Sequence, residues 1–134
     1  MSPEELVSFV NTAQRVGTLS TVDHAGNPNS AIVGSAMMPD PQHVNIALAK
    51  NHSLENLRHN SHAVLSIYEP APVIFNWQGA RLYLTVDSIE ETGPFKEAMI
   101  QRVEQEAGKM AARTIHAAVR FSVVKIRPLL DSIR

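Results

Sequence analysis

Residues 44–60 read Val44-Asn45-Ile46-Ala47-Leu48-Ala49-Lys50-Asn51-His52-Ser53-Leu54-Glu55-Asn56-Leu57-Arg58-His59-Asn60. The apolar run up to Leu48 suits a β-strand. Leu54 and Leu57, three apart, suit one face of a helix that reaches His59. Between them an ammonium, an amide, an imidazole and a hydroxyl follow one another, Lys50 to Ser53. A strand that runs into the first turn of a helix presents unpaired N–H groups and the positive end of the macrodipole, a good place for an anion. The plainer reading of the junction is helix capping, with Ser53 as the N-cap, Asn51 in a turn and His52 exposed. The second reading is a phosphate clamp.

Upstream, Ser2-Pro3-Glu4-Glu5 has the pattern of a capping box with proline in the first turn, and Leu6, Val7, Phe9, Val10 and Ala13 fall on one side of a helix reaching about Ala13. Val16 to Val22 is β-branched and strand-like, Asp23-His24-Ala25-Gly26-Asn27 is a hairpin turn, and Pro28 to Met38 reads as one returning strand. Met38-Pro39-Asp40-Pro41-Gln42 turns into His43–Leu48, so the first three strands read as an antiparallel meander. Downstream, His62 to Tyr68 is a fourth strand, broken by Glu69-Pro70-Ala71-Pro72. Val73 to Trp77 is a strand or a structured loop, and Arg81 to Ile89 alternates as a fifth strand should. Thr92-Gly93-Pro94 opens a helix with an apolar stripe of Phe95, Met99, Val103 and Ala107, which Gly108 ends. Met110 to His116 is ambiguous. Ala118 to Ile126, stopped by Pro128, is the closing strand. So many strands need their edges hidden, and a closed or partly closed antiparallel barrel with flanking helices does this.

The chain has 134 residues, the size of one domain over 1–134. A formal net charge of −1 argues against a general nucleic-acid or membrane-surface binder. Zero cysteines exclude disulfides and thiolate chemistry. No apolar run has the length of a membrane span, and the acidic, helix-like start is unlike a signal peptide, so the expectation is a cytoplasmic protein.

No catalytic constellation is evident. There is no Gly-x-Ser-x-Gly elbow, no Gly-x-Gly-x-x-Gly loop and no P-loop. His59 and His62 straddle a helix end and a strand start, and His24 lies in a turn, so no metal site is expected. Trp77, the sole tryptophan, reads as a core or interface residue, with stacking on a flat ligand as the other reading. Asn29 and Ser30 alternate with apolar residues on the returning strand, and Gly34 would let a flat ring approach the backbone.

The order of these segments resembles the FMN-binding split-barrel family, the superfamily of pyridoxamine 5′-phosphate oxidase and the small bacterial FMN-binding proteins. Gly17-Thr18-Leu19-Ser20-Thr21-Val22-Asp23 to Gly26-Asn27-Pro28 is similar to its first hairpin, and Ile46 through Asn60 to its phosphate-binding strand-to-helix turn. Gly79-Ala80-Arg81-Leu82-Tyr83-Leu84 with Thr92-Gly93-Pro94-Phe95, and then Ala118 to Pro128, are similar to its next strand and helix and its closing strand. The resemblance implies a six-stranded antiparallel split barrel, mainly β, forming a homodimer with FMN in each of two clefts between subunits. It places Ser30, Ala31, Ile32 and Val33 beside the flavin ring, and Ala47 on the strand leading to the phosphate. Lys50, Asn51, His52 and Ser53 fall in the clamp, Asn56 on the helix that follows, and Gln78 at a position that reaches the ring from the partner subunit. It also implies a flavin-dependent oxidoreductase or electron carrier, reduced by a nicotinamide or a protein donor.

Two positions depart from the oxidase. Ala31 and Ala36 stand where it carries an arginine and a lysine, and the chain stops at Arg134, short of its C-terminal substrate-binding extension. Oxidation of pyridoxamine 5′-phosphate itself is therefore not expected. The alternatives are a non-enzymatic flavin- or haem-binding or sensing protein and a deazaflavin-dependent reductase.

Overall fold

In the computed structural model the described residues are 1–12 and 15–131. Helix α1 (Pro3–Val10) starts on the expected capping box: Ser2 Oγ accepts from the Glu5 N–H, and the Glu5 carboxylate accepts from the Ser2 N–H. The helix stops at Val10; Ala13, to which it was expected to run, lies outside the described residues. Strands β1 (Val16–Val22) and β2 (Pro28–Val33) form the expected hairpin, with Gly26 at φ 88° in the turn. Then follow β3 (Met37–Asp40), β4 (His43–Leu48), α2 (His52–His59), β5 (His62–Glu69), a single 3-10 turn (Ile74–Asn76) and β6 (Gln78–Glu90). The chain closes with α3 (Pro94–Ala107), α4 (Lys109–Arg113) and β7 (Ala117–Pro128). Met110–His116 is thus mostly the short α4 and its exit, and Val73–Trp77 is a turn rather than a strand.

The expected class holds: one antiparallel sheet, flanked by helices. Two details are corrected. Among the described residues the sheet has seven strands, in the order β2-β1-β5-β6-β7-β4-β3, and it is not closed. The segment read as one strand, Pro28–Met38, is two strands on opposite edges, joined by only three residues, Gly34 to Ala36. For the same reason the first strands are not a meander: β2 pairs only with β1, and β4 pairs with β3 and β7. A three-residue link between the two edges requires the sheet to curl round on itself, which is how a split barrel arises from an open strand order.

The inside of the curl is the core, with Leu19, Val44, Ile46, Leu65, Ile67, Leu82, Val119 and Phe121 fully buried. Along β1 and β5 buried and half-buried residues alternate, as strands with one covered face require. The α3 stripe is shallower than its sequence pattern: Met99 is buried, Phe95 and Val103 are half-buried, and Ala107 is exposed. Helix α2 is held to the sheet by Leu54 and Leu57 and by a buried hydrogen bond in which Asn56 Nδ2 donates to Thr21 Oγ1 at 3.0 Å.

Two substitutions test this packing. At Gly79 an added Cβ would lie 2.1 Å from the Ile67 carbonyl oxygen and 2.8 Å from Tyr68 Cα. Gly79→Ala should therefore lower unfolding stability by about 1–3 kcal/mol or more, read from chemical denaturation. Asn56→Leu leaves the buried Thr21 hydroxyl unsatisfied and should cost about 1–3 kcal/mol; adding Thr21→Val should recover a large part of that loss, since neither partner is then left alone. Additive losses in that pair would show that the hydrogen bond is not what Asn56 contributes.

Candidate functional site

The junction between β4 and α2 is capped by Asn51, not by Ser53. Asn51 is in extended conformation, and its Oδ1 accepts from the Leu54 N–H at 3.0 Å. The helix thus starts at His52, two residues earlier than its leucines indicate. With Asn51 as cap, the N–H groups of His52 and Ser53 have no partner within the helix. Ser53 is 2% exposed and its Oγ has no hydrogen-bond partner among the described residues. Glu55 in the first turn and Arg58 and His59 in the last complement the helix dipole.

Beside this junction lies a cleft of about 370 Å³, within the range of small-ligand sites. The end of β2 and the crossing that follows (Ile32 to Ser35) form one wall, and the end of β4 with the junction (Ala47 to Ala49, and Asn51) forms another. Val103, Glu106 and Ala107 of α3, together with Ala111, Thr114 and Ile115, cover it, and Arg15 reaches in from the start of β1. The Ser35 hydroxyl donates to the Ala47 carbonyl at 2.8 Å and accepts from the Ala47 N–H at 2.9 Å. It stands where a strand neighbour would, because the pairing of β3 with β4 reaches no further than Met37 against Asn45.

Of the residues singled out from the sequence, Ile32, Val33, Ala47 and Asn51 come together in this cleft. Along β2, Ser30 and Ile32 point outward and exposed, while Ala31 is half-buried and Val33 buried. Four consecutive side chains on a strand cannot face one ligand. What β2 offers a flat ring is its backbone edge, since it pairs on one side alone. Ser30 Oγ lies 3.2 Å from Ser20 Oγ on the neighbouring strand.

The remaining residues stand apart. Lys50 opens onto a separate pocket of about 210 Å³ with Arg58, Glu91 and His116. There the Glu91 carboxyl is held below its ordinary pKa, chiefly by its hydrogen bond from the His116 ring, with the charge of Arg58 adding to the effect. His52 is exposed, and Asn56 is occupied with Thr21. Gln78 is at the start of β6, in a third pocket with Phe75, Trp77 and Ile126. Trp77 is half-buried and stacks on Tyr68 at 5.2 Å between ring centroids. His59 bonds Glu55 at 3.1 Å, and among the described residues no three His, Asp or Glu side chains gather to hold a metal ion.

Arg15, Ser35, Glu106 and Thr114 line the cleft and were not singled out from the sequence. One signal for Arg15 was available: it is the lone charged residue between Glu5 and Asp23. Ala31 and Ala36 bring no charge; Ala36 is buried, and its carbonyl accepts from Arg15 Nη2 at 2.7 Å.

The whole architecture recurs in solved structures. An FMN-binding protein from Syntrophomonas wolfei subsp. wolfei superposes with a TM-score of 0.80 at 20% identity, covering 98% of this chain and 90% of its own. HupZ of Group A Streptococcus gives 0.78 at 18% identity, over 100% of this chain and 98% of its own. The haem storage protein HutZ of Vibrio cholerae gives 0.66 at 16% identity, over 96% and 90%. At these identities the likeness is one of fold. No curated protein matches by sequence. The sequence model of the pyridoxamine 5′-phosphate oxidase family matches residues 2–130, and the chain belongs to that family.

Proposed function

We propose that this protein binds FMN in the cleft between β2 and the β4–α2 junction, as a homodimer, and serves as a flavin-dependent oxidoreductase or electron carrier. The observation that carries the proposal is the junction itself. Asn51 caps the helix with its own side chain, which leaves the His52 and Ser53 N–H groups and an orphaned Ser53 hydroxyl at the positive end of α2. Those are the donors a phosphate monoester takes. The donor set therefore fits the group.

The parts of the cleft divide the work. The free backbone edge of β2 is suited to the hydrogen-bonding rim of a flavin ring, and Val33, Ala47 and Val103 supply apolar walls. Helices α3 and α4 cover one side and exclude water. Bound flavin would supply the chemistry, accepting and giving up hydride or single electrons. This chain's residues would bind and orient it; Glu106 is the one carboxylate among the described residues that line the cleft. Ile32 is 79% exposed on the rim and Phe75 83% exposed near Gln78. Large apolar side chains left bare in this way favour a second copy, which at Ile32 would cover the cleft and at Phe75 the separate pocket beside Gln78.

The purified protein should be yellow, with the absorbance of oxidised flavin, or should acquire it on adding FMN. A Soret band in its place would move the reading to the haem storage role of the structurally similar HutZ, and a colourless protein that takes up neither would end it. Ser53→Ala separates ligand from scaffold. Removing an unsatisfied buried hydroxyl should leave the melting temperature unchanged or higher, while FMN affinity falls about 3- to 10-fold for the loss of one hydrogen bond. Unchanged FMN affinity in Ser53→Ala would take that hydroxyl out of the site.

A further inference from the structure

The positive charge in the cleft does not come from the junction. Lys50 opens elsewhere and His52 is on the surface, so among the described residues that line the cleft Arg15 is the one lysine or arginine. Its guanidinium is half-buried and held by neutral groups. Nε donates to the carbonyl of Val10, the last residue of α1, and Nη2 donates to the carbonyl of Ala36. These bonds fix the plane of the group between the helix end and the β2–β3 crossing, and they use two of its five N–H donors. Among the described residues no carboxylate lies within ion-pair distance of Arg15. Burial pushes its pKa below the ordinary value and the nearby Arg102 pushes the same way, while Glu106 opposes them. A half-buried, pre-oriented guanidinium without a carboxylate partner is poised for a bidentate contact with an incoming anion.

We propose that Arg15 reads the phosphate of the ligand in this cleft, and so sets its preference for phosphorylated over unphosphorylated flavin. This rests on the flavin reading above. Arg15 then has two roles, tying α1 to the crossing through its neutral bonds and presenting its remaining donors to the phosphate.

FMN and riboflavin differ only by the phosphate, so their ratio isolates the second role. Titration of the full chain at one ionic strength, followed by flavin fluorescence, should show Arg15→Gln weakening FMN about 10-fold or more and riboflavin by less than about 2-fold. Arg15→Lys should fall between wild type and Arg15→Gln. Equal losses for both ligands, or an unchanged FMN affinity, would overturn the proposal and leave Arg15 a structural tie. Should Arg15→Gln not fold, phenylglyoxal labelling of wild type, read at Arg15 by peptide mass, decides instead: FMN should slow it and riboflavin should not, and equal labelling overturns the proposal. A wild type that binds neither flavin would instead refute the flavin reading. Pyrophosphate then tests Arg15 alone: it must raise the melting temperature of wild type and not that of Arg15→Gln, and no such difference would refute the Arg15 assignment as well.

Discussion

Between Val33 and Met37 the chain leaves one edge of its sheet and joins the other, and no strand is there to pair with it. Backbone N–H and C=O groups in such a place must still find partners. Three side chains serve this seam, one bonding the crossing itself and two the flanking strands β3 and β4. Ser35 takes both backbone groups of Ala47, and Arg15 takes the carbonyl of Ala36. Asn11, just beyond α1, takes both the N–H and the carbonyl of Met38 at 2.8 and 2.9 Å. Hydroxyl, guanidinium and amide imitate a missing strand. They also blunt the outer edge of β3 and the end of β4 that β3 does not reach.

The cleft is a consequence of that seam. Because β2 ends where the sheet splits, its last residues and the crossing form a wall facing the end of β4. Because β4 runs straight into α2, the same opening receives the N-cap of that helix, Asn51. The residues that line the cleft come from separated parts of the chain, Arg15, the 32–35 and 47–51 stretches, and the 103–115 region. A covering by α3 and α4 from one side and bare apolar residues on the other give the site an asymmetric surrounding, closed by the chain itself at one face and open at Ile32.

Some of this was written into the pattern of residues. The capping box at Ser2, the Gly26 turn, the alternation in β1 and β5 and the strand-to-helix change near Leu48 are all local, and local propensity decided them. The split of β2 from β3 shows in the burial and not in the residue types, since Ala31-Ile32-Val33 and Ala36-Met37-Met38 are both unbroken apolar runs. Val33 is buried at an odd position, and Ala36 and Met38 at even ones, so the period of two slips by one residue across Gly34-Ser35. Read as a single strand from Pro28 to Met38, the slip is invisible. At the helix start, Asn51 and Ser53 are both good caps, and only the path of the chain out of β4 chose between them.

The sequence by itself determined that this is a mainly β chain with a polar strand-to-helix junction suited to an anion, because hydrophobic period and turn chemistry act over a few residues. Which side chains meet at that junction was decided by the tertiary structure alone. Asn56 turned inward to Thr21, Lys50 went to a neighbouring pocket, and Arg15, distant in sequence, came in to line the cleft. For Arg15 the physical reason is the crossing. Its unpaired backbone groups draw in donors and acceptors from wherever the fold brings them, and no pattern within a short window of sequence records that distance.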